Sequence, residues 1–473
     1  MTAIVWFRQD LRTQDNPALA AAAKAGNVLP VFILEDQAGL PWRLGGASRW
    51  WLHHSLTALR KDLGHLLLVR GAAQDVLPSL VKQSKADAVY WNRCYEPHAI
   101  ERDRQLKTTL RASGVEVESF NGNLLHEPWE VTSRRSEPIK VFTPFWRASR
   151  AKPIATPVHV PRVTLDRLAI HGERLEDWSL IPANPNWAAG WDKLWQPGET
   201  GALARFKAFT RHTLTDYGPH RDRPDRAGTS MLSPHLHWGE ISPRHIWADI
   251  APALDDARQS EGAEKFLSEL GWREFAYHLL YHFPTMPEEN WRPEFGAFPW
   301  QGKADELAAW QHGHTGYPMV DAGMRQLWQT GWMHNRVRMI TASFLIKHLR
   351  IDWRQGEAWF WDTLVDADLA NNAINWQWVA GSGVDASPYF RVFNPTLQGK
   401  KFDPDGMYIR RWCPELARLS NSDIHAPFDA TPASLSRAGV RLGETYPRPI
   451  VNDEQARKAA LAGYQKVRSS KSA

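Results

Sequence analysis

The chain has 473 residues, with 57 Lys and Arg against 52 Asp and Glu, a formal charge of +5. At 43% hydrophobic and 23% charged residues it reads as a soluble globular protein of two or three domains with a sizeable core. No apolar run approaches the roughly 18 residues of a membrane helix. Charge also follows Met1 too soon for a secretory signal. Two cysteines, Cys94 and Cys413, exclude a disulfide scaffold and a four-cysteine iron–sulfur cluster, so a reducing cytoplasm (bacterial cytosol and nucleoid) is the expected location. A charge of +5 on this length does not by itself point to nucleic acid. The unusual feature is tryptophan: there are 25, more than Phe (18) or Tyr (10), and eleven fall between Trp272 and Trp378.

Residues 1–125 alternate between two periodicities. Apolar, β-rich runs at 4–7, 28–34, 66–69, 88–91 and 115–120 predict five strands, separated by helical patterns at 17–25, 48–63, 74–84 and 98–113. Asp15 and Asn16 ahead of Pro17 make a helix start, because a side-chain oxygen caps free N–H groups and proline suits the first turn. Strands alternating with helices predict a doubly wound parallel sheet. No G-x-G-x-x-G follows the first strand, so a dinucleotide pyrophosphate site of the usual kind is not expected there. From 126 to 198 nine prolines prevent long helices, which predicts an extended connector. After Gly201 the pattern is helical, strongest at 202–216, 263–282, 319–330, 333–350 and 356–371, and 453–473 reads as a helical or frayed terminus. The predicted organisation is an α/β domain (1–130), a Pro-rich connector (131–198) and an all-α domain (199–473).

Three stretches of the helical half carry unusual chemistry. At 263–283, Phe266, Glu269, Trp272, Arg273 and Ala276 share a helix face. Glu269 there is either a surface partner of Arg273 or a carboxyl set into an aromatic pocket. At 331–339, Trp332, Asn335, Arg336 and Met339 share a face, and between 334 and 354 Arg336, Arg338, Lys347, Arg350 and Arg354 meet one acid, Asp352. Basicity with interleaved rings suits nucleic acid, where charge holds phosphates and rings stack on bases. It equally suits a plain basic helix. At 366–378 stand two carboxylates, three asparagines and two indoles. Asp368, Asn372 and Trp376 follow at i, i+4, i+8, whereas Trp376 and Trp378 lie about 200° apart on a helix and must face different surroundings. Such polar density needs buried partners, which a heteroaromatic ligand supplies. The pairs His278/His282, His235/His237 and His312/His314 lack a placed third ligand, so no metal is expected.

With these segments in register, the sequence resembles the photolyase/cryptochrome flavoprotein family over essentially its whole length. The opening Trp6-Phe7-Arg8-Gln9-Asp10-Leu11-Arg12 with Asp15-Asn16 is similar to that family's entry into its α/β domain. Thr229-Ser230-Met231-Leu232-Ser233, Trp272-Arg273-Glu274-Phe275, Thr315-Gly316-Tyr317-Pro318, Trp332-Met333-His334-Asn335-Arg336, residues 366–378 and Pro388-Tyr389-Phe390-Arg391-Val392-Phe393-Asn394-Pro395 are similar to its helical flavin domain, in order.

The resemblance implies FAD, active as FADH⁻, folded into the helical domain. Tyr217 and Thr229, Ser230, Met231, Leu232 and Ser233 match the phosphate and ribose contacts. Arg338 and Asp366 match a salt bridge beside the isoalloxazine, Asp368 its ring edge, and Asn372 the residue facing N5. Trp376, Trp353 and Trp300 match a chain carrying electrons from the surface. Trp272 and Trp378 match the walls of a pocket for a flipped-out pyrimidine dimer, with Met339 part of the same pattern. Glu269 matches the carboxyl at the lesion and Asn335 its amide partner. Desolvation in an indole-lined pocket would push such a carboxyl's pKa up and make it a donor to the dimer carbonyls. Arg221, Arg336 and Arg391 are the phosphate contacts to expect. The implied activity is light-driven repair of cyclobutane pyrimidine dimers in UV-damaged DNA by electron transfer from excited FADH⁻, by a monomer with no membrane partner.

A signalling cryptochrome is the rival reading inside the family. The combination of Glu269, Trp272, Asn335, Met339 and Trp378 favours the repair pattern, and a (6-4) photolyase would carry histidine at Asn335. Residues 48–52 and 232–243 look closer to class III photolyases and plant-type cryptochromes than to the enterobacterial class I enzyme. The implied antenna is 5,10-methenyltetrahydrofolate. Around 95–99 the enterobacterial folate motif is not reproduced, which leaves a deazaflavin or no antenna open. Outside the family, a non-catalytic aromatic-rich binding protein would carry no yellow chromophore.

Overall fold

The computed structural model describes residues 1–166, 170–385 and 390–470. It begins with β1 (Thr2–Phe7), α1 (Pro17–Ala25), β2 (Asn27–Leu34), α2 (Gly46–Leu63), β3 (Leu67–Arg70), α3 (Ala73–Ser84), β4 (Ala88–Asn92), α4 (Pro97–Ala112) and β5 (Glu116–Phe120). Each predicted strand and helix is present, with ends moved by one or two residues. The strands are parallel in the order β3-β2-β1-β4-β5. Both faces of the central strands are covered, which is why β1, β2 and β4 read as apolar runs, whereas the edge strand β5 alternates buried and exposed positions. Ile4, Trp6, Val31, Leu67, Val89, Trp91 and Val117 pack on one side with Leu77, Leu80, Leu106 and Leu110 of α3 and α4. Asn16 caps α1 as expected, its side chain accepting from the Leu19 N–H.

The order reverses at β1, where open α/β sheets bind ligands beyond the strand ends. Here that crevice is filled by the chain's own polar groups. Asn92 Nδ2 donates to Asp10 Oδ2 (2.6 Å) and Asn16 Oδ1 (2.8 Å), and Arg8 pairs with Asp103 (2.7 Å).

The connector is less extended than its prolines suggest. It forms α5 (Phe142–Arg150), where Pro144 sits in the first turn and loses no helix hydrogen bond. It also forms β6 (Thr164–Leu165), which pairs with Asn27 and Val28 of β2.

Helices α6 (Glu199–His212), α7 (Tyr217–His220), α8 (Ser233–His237), α9 (Pro243–Ile250) and α10 (Ser260–His282) follow. Then come α11 (Ala304–Gln311), α12 (Pro318–Thr330), α13 (Asn335–Ser343), a π-turn at Phe344–His348, α14 (Trp353–Thr363) and α15 (Leu369–Ala380). The chain ends with α16 (Pro395–Phe402), α17 (Met407–Trp412), α18 (Pro432–Ala438) and α19 (Asp453–Ser470). The helix expected over 356–371 stops at Thr363, and Asp366 and Asp368 lie before α15, because short carboxylates compete with helix backbone and favour its ends. The helix expected over 333–350 is interrupted by the π-turn.

Grouped by contacts, the chain forms two compact units: 1–215 with 230–284 and 365–370, and 216–229 with 285–364 and 371–473. In the first, Arg12 is 1% exposed and donates to Asp15 O (2.7 Å), Gly122 O (2.6 Å) and Gly239 O (2.8 Å). In the second, buried Asp321 accepts from the Thr315 and Gly316 N–H groups and from Tyr446, and Gly323 lets Val337 and Thr341 of α13 close on α12.

Replacing Arg12 by Met leaves three buried carbonyls without donors. At about 1–3 kcal/mol for each unmet group, Arg12→Met should cost more than about 3 kcal/mol. Thermal melting would show it as a large fall in the midpoint; a midpoint near that of the parent protein contradicts the assignment.

Candidate functional site

In the first unit α10 carries most of the chemistry. Glu269 is half-buried with Lys265 Nζ at 4.0 Å. Arg273 turns inward, donating to Asn123 O (2.7 Å) and lying over the Tyr277 ring at 4.8 Å. Arg273 is thus committed elsewhere, and the helix-surface partner of Glu269 is Lys265. Trp272 stacks on Phe142 of α5 with centroids 3.7 Å apart and planes 9° off parallel, which covers one indole face. Asp368 is buried, accepts from the Tyr277 hydroxyl and lies 3.3 Å from His237 Nδ1. Burial alone would raise its pKa; the His237 bond and charge, Arg273 and Tyr277 outweigh that and hold the carboxyl far below its usual range. Asp366 is buried as well. Thr229 closes the other unit's first segment; after it, Ser230 Oγ accepts from the Leu232 N–H, Met231 takes a positive φ of 50°, and Ser233 opens α8.

In the second unit Trp376 is buried against Phe360 (5.0 Å) and Trp310 (6.4 Å). Gly356 of α14 is a required glycine, since a Cβ there would stand 2.1 Å from Trp376. Trp378 is half-buried, so the two indoles of α15 do face different surroundings. Asn372 Nδ2 donates to Glu357 O of α14 (3.0 Å). Trp353 is fully buried, donating to Asn290 Oδ1 (2.9 Å), and Trp300 is half-buried against Phe298 at 4.5 Å.

The basic run at 334–354 does not form one cationic face. Arg336 pairs with Asp222 (2.7 Å) and covers Phe402, Arg338 donates to Met333 O (2.7 Å), and Arg354 pairs with Asp352 (3.0 Å). Lys347 is buried. Asn335 is exposed at the start of α13, and Met339 is half-buried beside the Arg336 guanidinium, 3.6 Å from Nη1. Arg221 covers the buried Tyr217 at 5.6 Å, and Arg391 is exposed. Pro388 and Tyr389 of the last motif lie outside the described residues. His278 is occupied structurally, with the Ile139 N–H and Pro128 O at its two nitrogens.

Two groups escaped the sequence reading because a charge in a helical pattern looks solvated. Glu274 is buried and accepts from the Leu125 N–H (2.8 Å). Desolvation pushes its carboxyl up to about 7, against Arg273 and the backbone donors. Glu357 is buried with both carboxyl oxygens lacking a partner, and burial pushes its pKa well above the usual carboxylate range. His334 Nε2 and Arg336 Nε are likewise buried and unpartnered. Each unmet buried group costs about 1–3 kcal/mol, so these atoms fit a polar, heteroaromatic ligand such as a flavin nucleotide. A cavity of about 610 Å³ in the first unit, lined by Thr13, Asp15, Asp62, His159 and His245 among others, touches none of the site residues expected from sequence.

Comparison with known proteins gives matches along the whole chain. A family model described as DNA photolyase matches residues 3–162, and one described as the FAD binding domain of DNA photolyase matches residues 266–466. A deoxyribodipyrimidine photo-lyase of Agrobacterium fabrum is 52% identical, the match covering 98% of each chain. Cryptochrome-1 of Arabidopsis thaliana is 38% identical over 96% of this chain and 69% of its own length. The crystal structure of a class III photolyase from Agrobacterium tumefaciens superposes with a TM-score of 0.95 at 50% identity, covering 99% and 98% of the two chains.

Glu274 makes stability depend on pH. Its folded pKa stands above the unfolded value, so its contribution is complete below about 4.5 and is lost as pH rises through about 7. Glu274→Gln does not titrate. Its stability relative to the parent should therefore rise by on the order of 3 kcal/mol between pH 4.5 and 7.5. Urea midpoints at the two pH values test this, and a gap that does not change with pH refutes it.

Proposed function

The chain belongs to the photolyase/cryptochrome family, and from that premise we propose that it is a deoxyribodipyrimidine photolyase, repairing cyclobutane pyrimidine dimers in DNA under light. The observation that carries this is near-full-length likeness, at 52% identity, to a deoxyribodipyrimidine photo-lyase. The chain also holds the combination Glu269, Trp272, Asn335, Met339 and Trp378 expected of the repair pattern.

Bound in its reduced form, FAD supplies a light-absorbing electron donor that side chains lack. Tyr217, Thr229 and Ser230–Ser233 are the residues for its phosphates and ribose, and Arg338, Asp366 and Asp368 those for the ring. A carboxylate kept ionised by His237 and Tyr277, as Asp368 is, offers a fixed negative charge and a strong acceptor. Asn372 commits its N–H to Glu357 O, which leaves Oδ1 to accept a proton held on the ring. Trp300, Trp353 and Trp376 provide easily oxidised indoles from a half-exposed position to the buried face of α15.

At the substrate, Trp272 keeps one face free of Phe142 for a flipped pyrimidine, and Trp378 serves as the second wall. Covering Glu269 with the lesion removes its water, which favours the protonated form as a donor to the dimer carbonyls, and Asn335 is the amide donor to the same lesion. Arg221, Arg336 and Arg391 take phosphates. For Arg336 the phosphate competes with Asp222, which lowers its share of the affinity.

The α/β segment 1–130 is assigned to the antenna, 5,10-methenyltetrahydrofolate, with 131–198 connecting it to the flavin segment 199–473. A cytosolic monomer acting on UV-damaged DNA completes the reading. No helix among the described residues is long and apolar enough to cross a membrane. The cryptochrome alternative rests on the 38% identity to Cryptochrome-1 of Arabidopsis thaliana.

Blue light on reduced, flavin-loaded protein with dimer-containing DNA should remove the dimers. Glu269→Ala should lower the repair yield about two- to tenfold, the weight of one hydrogen bond at the reacting carbonyls. A flavin-loaded parent protein that leaves dimers intact hands the assignment to a photoreceptor. In a second measurement, Trp376→Phe, which replaces an oxidisable indole with a ring of similar shape, should slow photoreduction of oxidised flavin by more than about tenfold. Parent-like photoreduction in that variant removes Trp376 from the relay.

A further inference from the structure

Lys347 is the least expected side chain of the second unit. It stands in the π-turn Phe344–His348, is 3% exposed, and pairs with no carboxylate among the described residues. Its ammonium donates to the main-chain carbonyl of Arg391 and lies 4.4 Å from the centre of the Phe390 ring. Burial, with the Arg391 charge nearby, pushes it down to about 7. An ammonium held by one carbonyl and one ring face costs more to bury than a methionine of the same length, so stability does not explain it.

Its surroundings explain it better. Ser343, Lys347, Trp378, Val379, Gly381, Arg391 and Phe393 line one cavity of about 20 Å³, so Lys347 borders the same small space as the proposed lesion wall and the proposed phosphate contact. Ser343 Oγ accepts from the Phe393 N–H (3.4 Å), and Asn394 bonds to Asp453 (2.8 Å), which also pairs with His348 (2.8 Å). Phe390 stacks on Tyr464 of α19 at 4.7 Å and rests on Gly381 at the end of α15. Residues 390–394 are thus tied to the π-turn by Lys347 and, through Asp453, by His348, and to Ser343 just before it. Lys347 makes the tie at the residue whose side chain is free to reach DNA. A π-turn widens the helix by one residue per turn, which carries the Lys347 side chain to this side rather than along the regular helix face.

We propose that Lys347 is a positioning residue for damaged DNA, latching the main chain at Arg391 so that the Arg391 side chain and the Trp378 wall are presented together. This rests on the photolyase reading of Arg391 and Trp378. Lys347→Met removes the donor at constant length, and Lys347→Gln keeps a neutral N–H donor. Flavin-loaded full-length proteins are to be compared for dark binding of a dimer-containing duplex, repair per photon at saturating DNA, and amide exchange across 390–394 without DNA. Lys347→Met should weaken binding about tenfold, the value of one charge-assisted hydrogen bond. Its repair per photon should stay within about twofold, its 390–394 amides should exchange faster, and Lys347→Gln should bind within about threefold of the parent.

Parent-like binding and exchange in Lys347→Met overturn the latch. So does a fall in repair per photon that matches the loss of binding, since that marks general damage. If Lys347→Met does not fold, the pH dependence of exchange decides. Around Lys347 stand Arg391 on the segment and the His348–Asp453 pair, which reaches the segment through Asn394, so the readout is the difference between parent and Lys347→Gln. Protection of 390–394 should fall between pH 6.5 and 8.5 in the parent and not in Lys347→Gln; identical profiles refute the proposal. A parent protein that neither binds nor repairs dimer DNA sinks the photolyase reading instead, and the exchange comparison then decides the latch alone.

Discussion

The first unit is organised around a buried cation with no salt-bridge partner among the described residues. The Arg12 guanidinium is bonded to main-chain carbonyls of residues 15, 122 and 239, so one side chain binds the turn before α1, the strand exit beyond β5 and the turn after α8. A guanidinium suits this role because its planar fork presents five donors in fixed directions, and desolvation costs it less than an ammonium. Burial lowers its pKa, while Asp15 and Asp10 oppose that shift. Around it Asp15 takes both Arg244 (2.9 Å) and the Ser242 hydroxyl, and the Leu11 N–H bonds to Trp238 O. Gly239 is forced by the same contact: with φ at 63°, a Cβ would stand 2.0 Å from Gln9 O. Two motifs more than two hundred residues apart in sequence are therefore faces of a single contact.

That contact explains why contacts group the chain differently from composition. The proline-rich stretch marks a change of texture, and texture changes look like boundaries. Yet 230–284 joins the sheet's own unit, because Arg12, Asp15 and Arg273 all spend their hydrogen bonds across that change. Proline density reports local stiffness. It carries no information about which distant carbonyl a buried arginine will find.

The same distinction governs what was legible in the sequence. The five strands, the four helices between them and the cap at Asn16 were readable because they rest on spacing and on one neighbour's side chain. The opposite facing of Trp376 and Trp378 followed from helix geometry alone. Illegible were the partners of charges. Arg336 read as a phosphate contact and is held by Asp222; Lys347 read as part of a basic run and is buried; Glu274 and Glu357 drew no reading and are buried. Each depends on a residue tens to hundreds of positions away, and no periodicity encodes that. The extra residue of the π-turn was also hidden, since its period differs from 3.6 over only one turn.

Buried charge in this protein falls into two kinds. Arg12, Asp321 and Asp368 are ionisable, buried and fully engaged, which is how a charge is made tolerable in a stable core. Glu357, His334 and Lys347 are buried and under-engaged, each with an atom or a charge that its neighbours do not answer. A fold selected for stability alone would exchange such groups for apolar ones of the same size. In the second unit such groups lie on α13, the π-turn and α14, which also carry Asn335, Met339 and the Trp376 contact, and at His425, whose two ring nitrogens are both buried and unpartnered. Under-engagement alone does not single out a site, because Arg8 and Glu96 of the first unit carry unpartnered buried atoms as well.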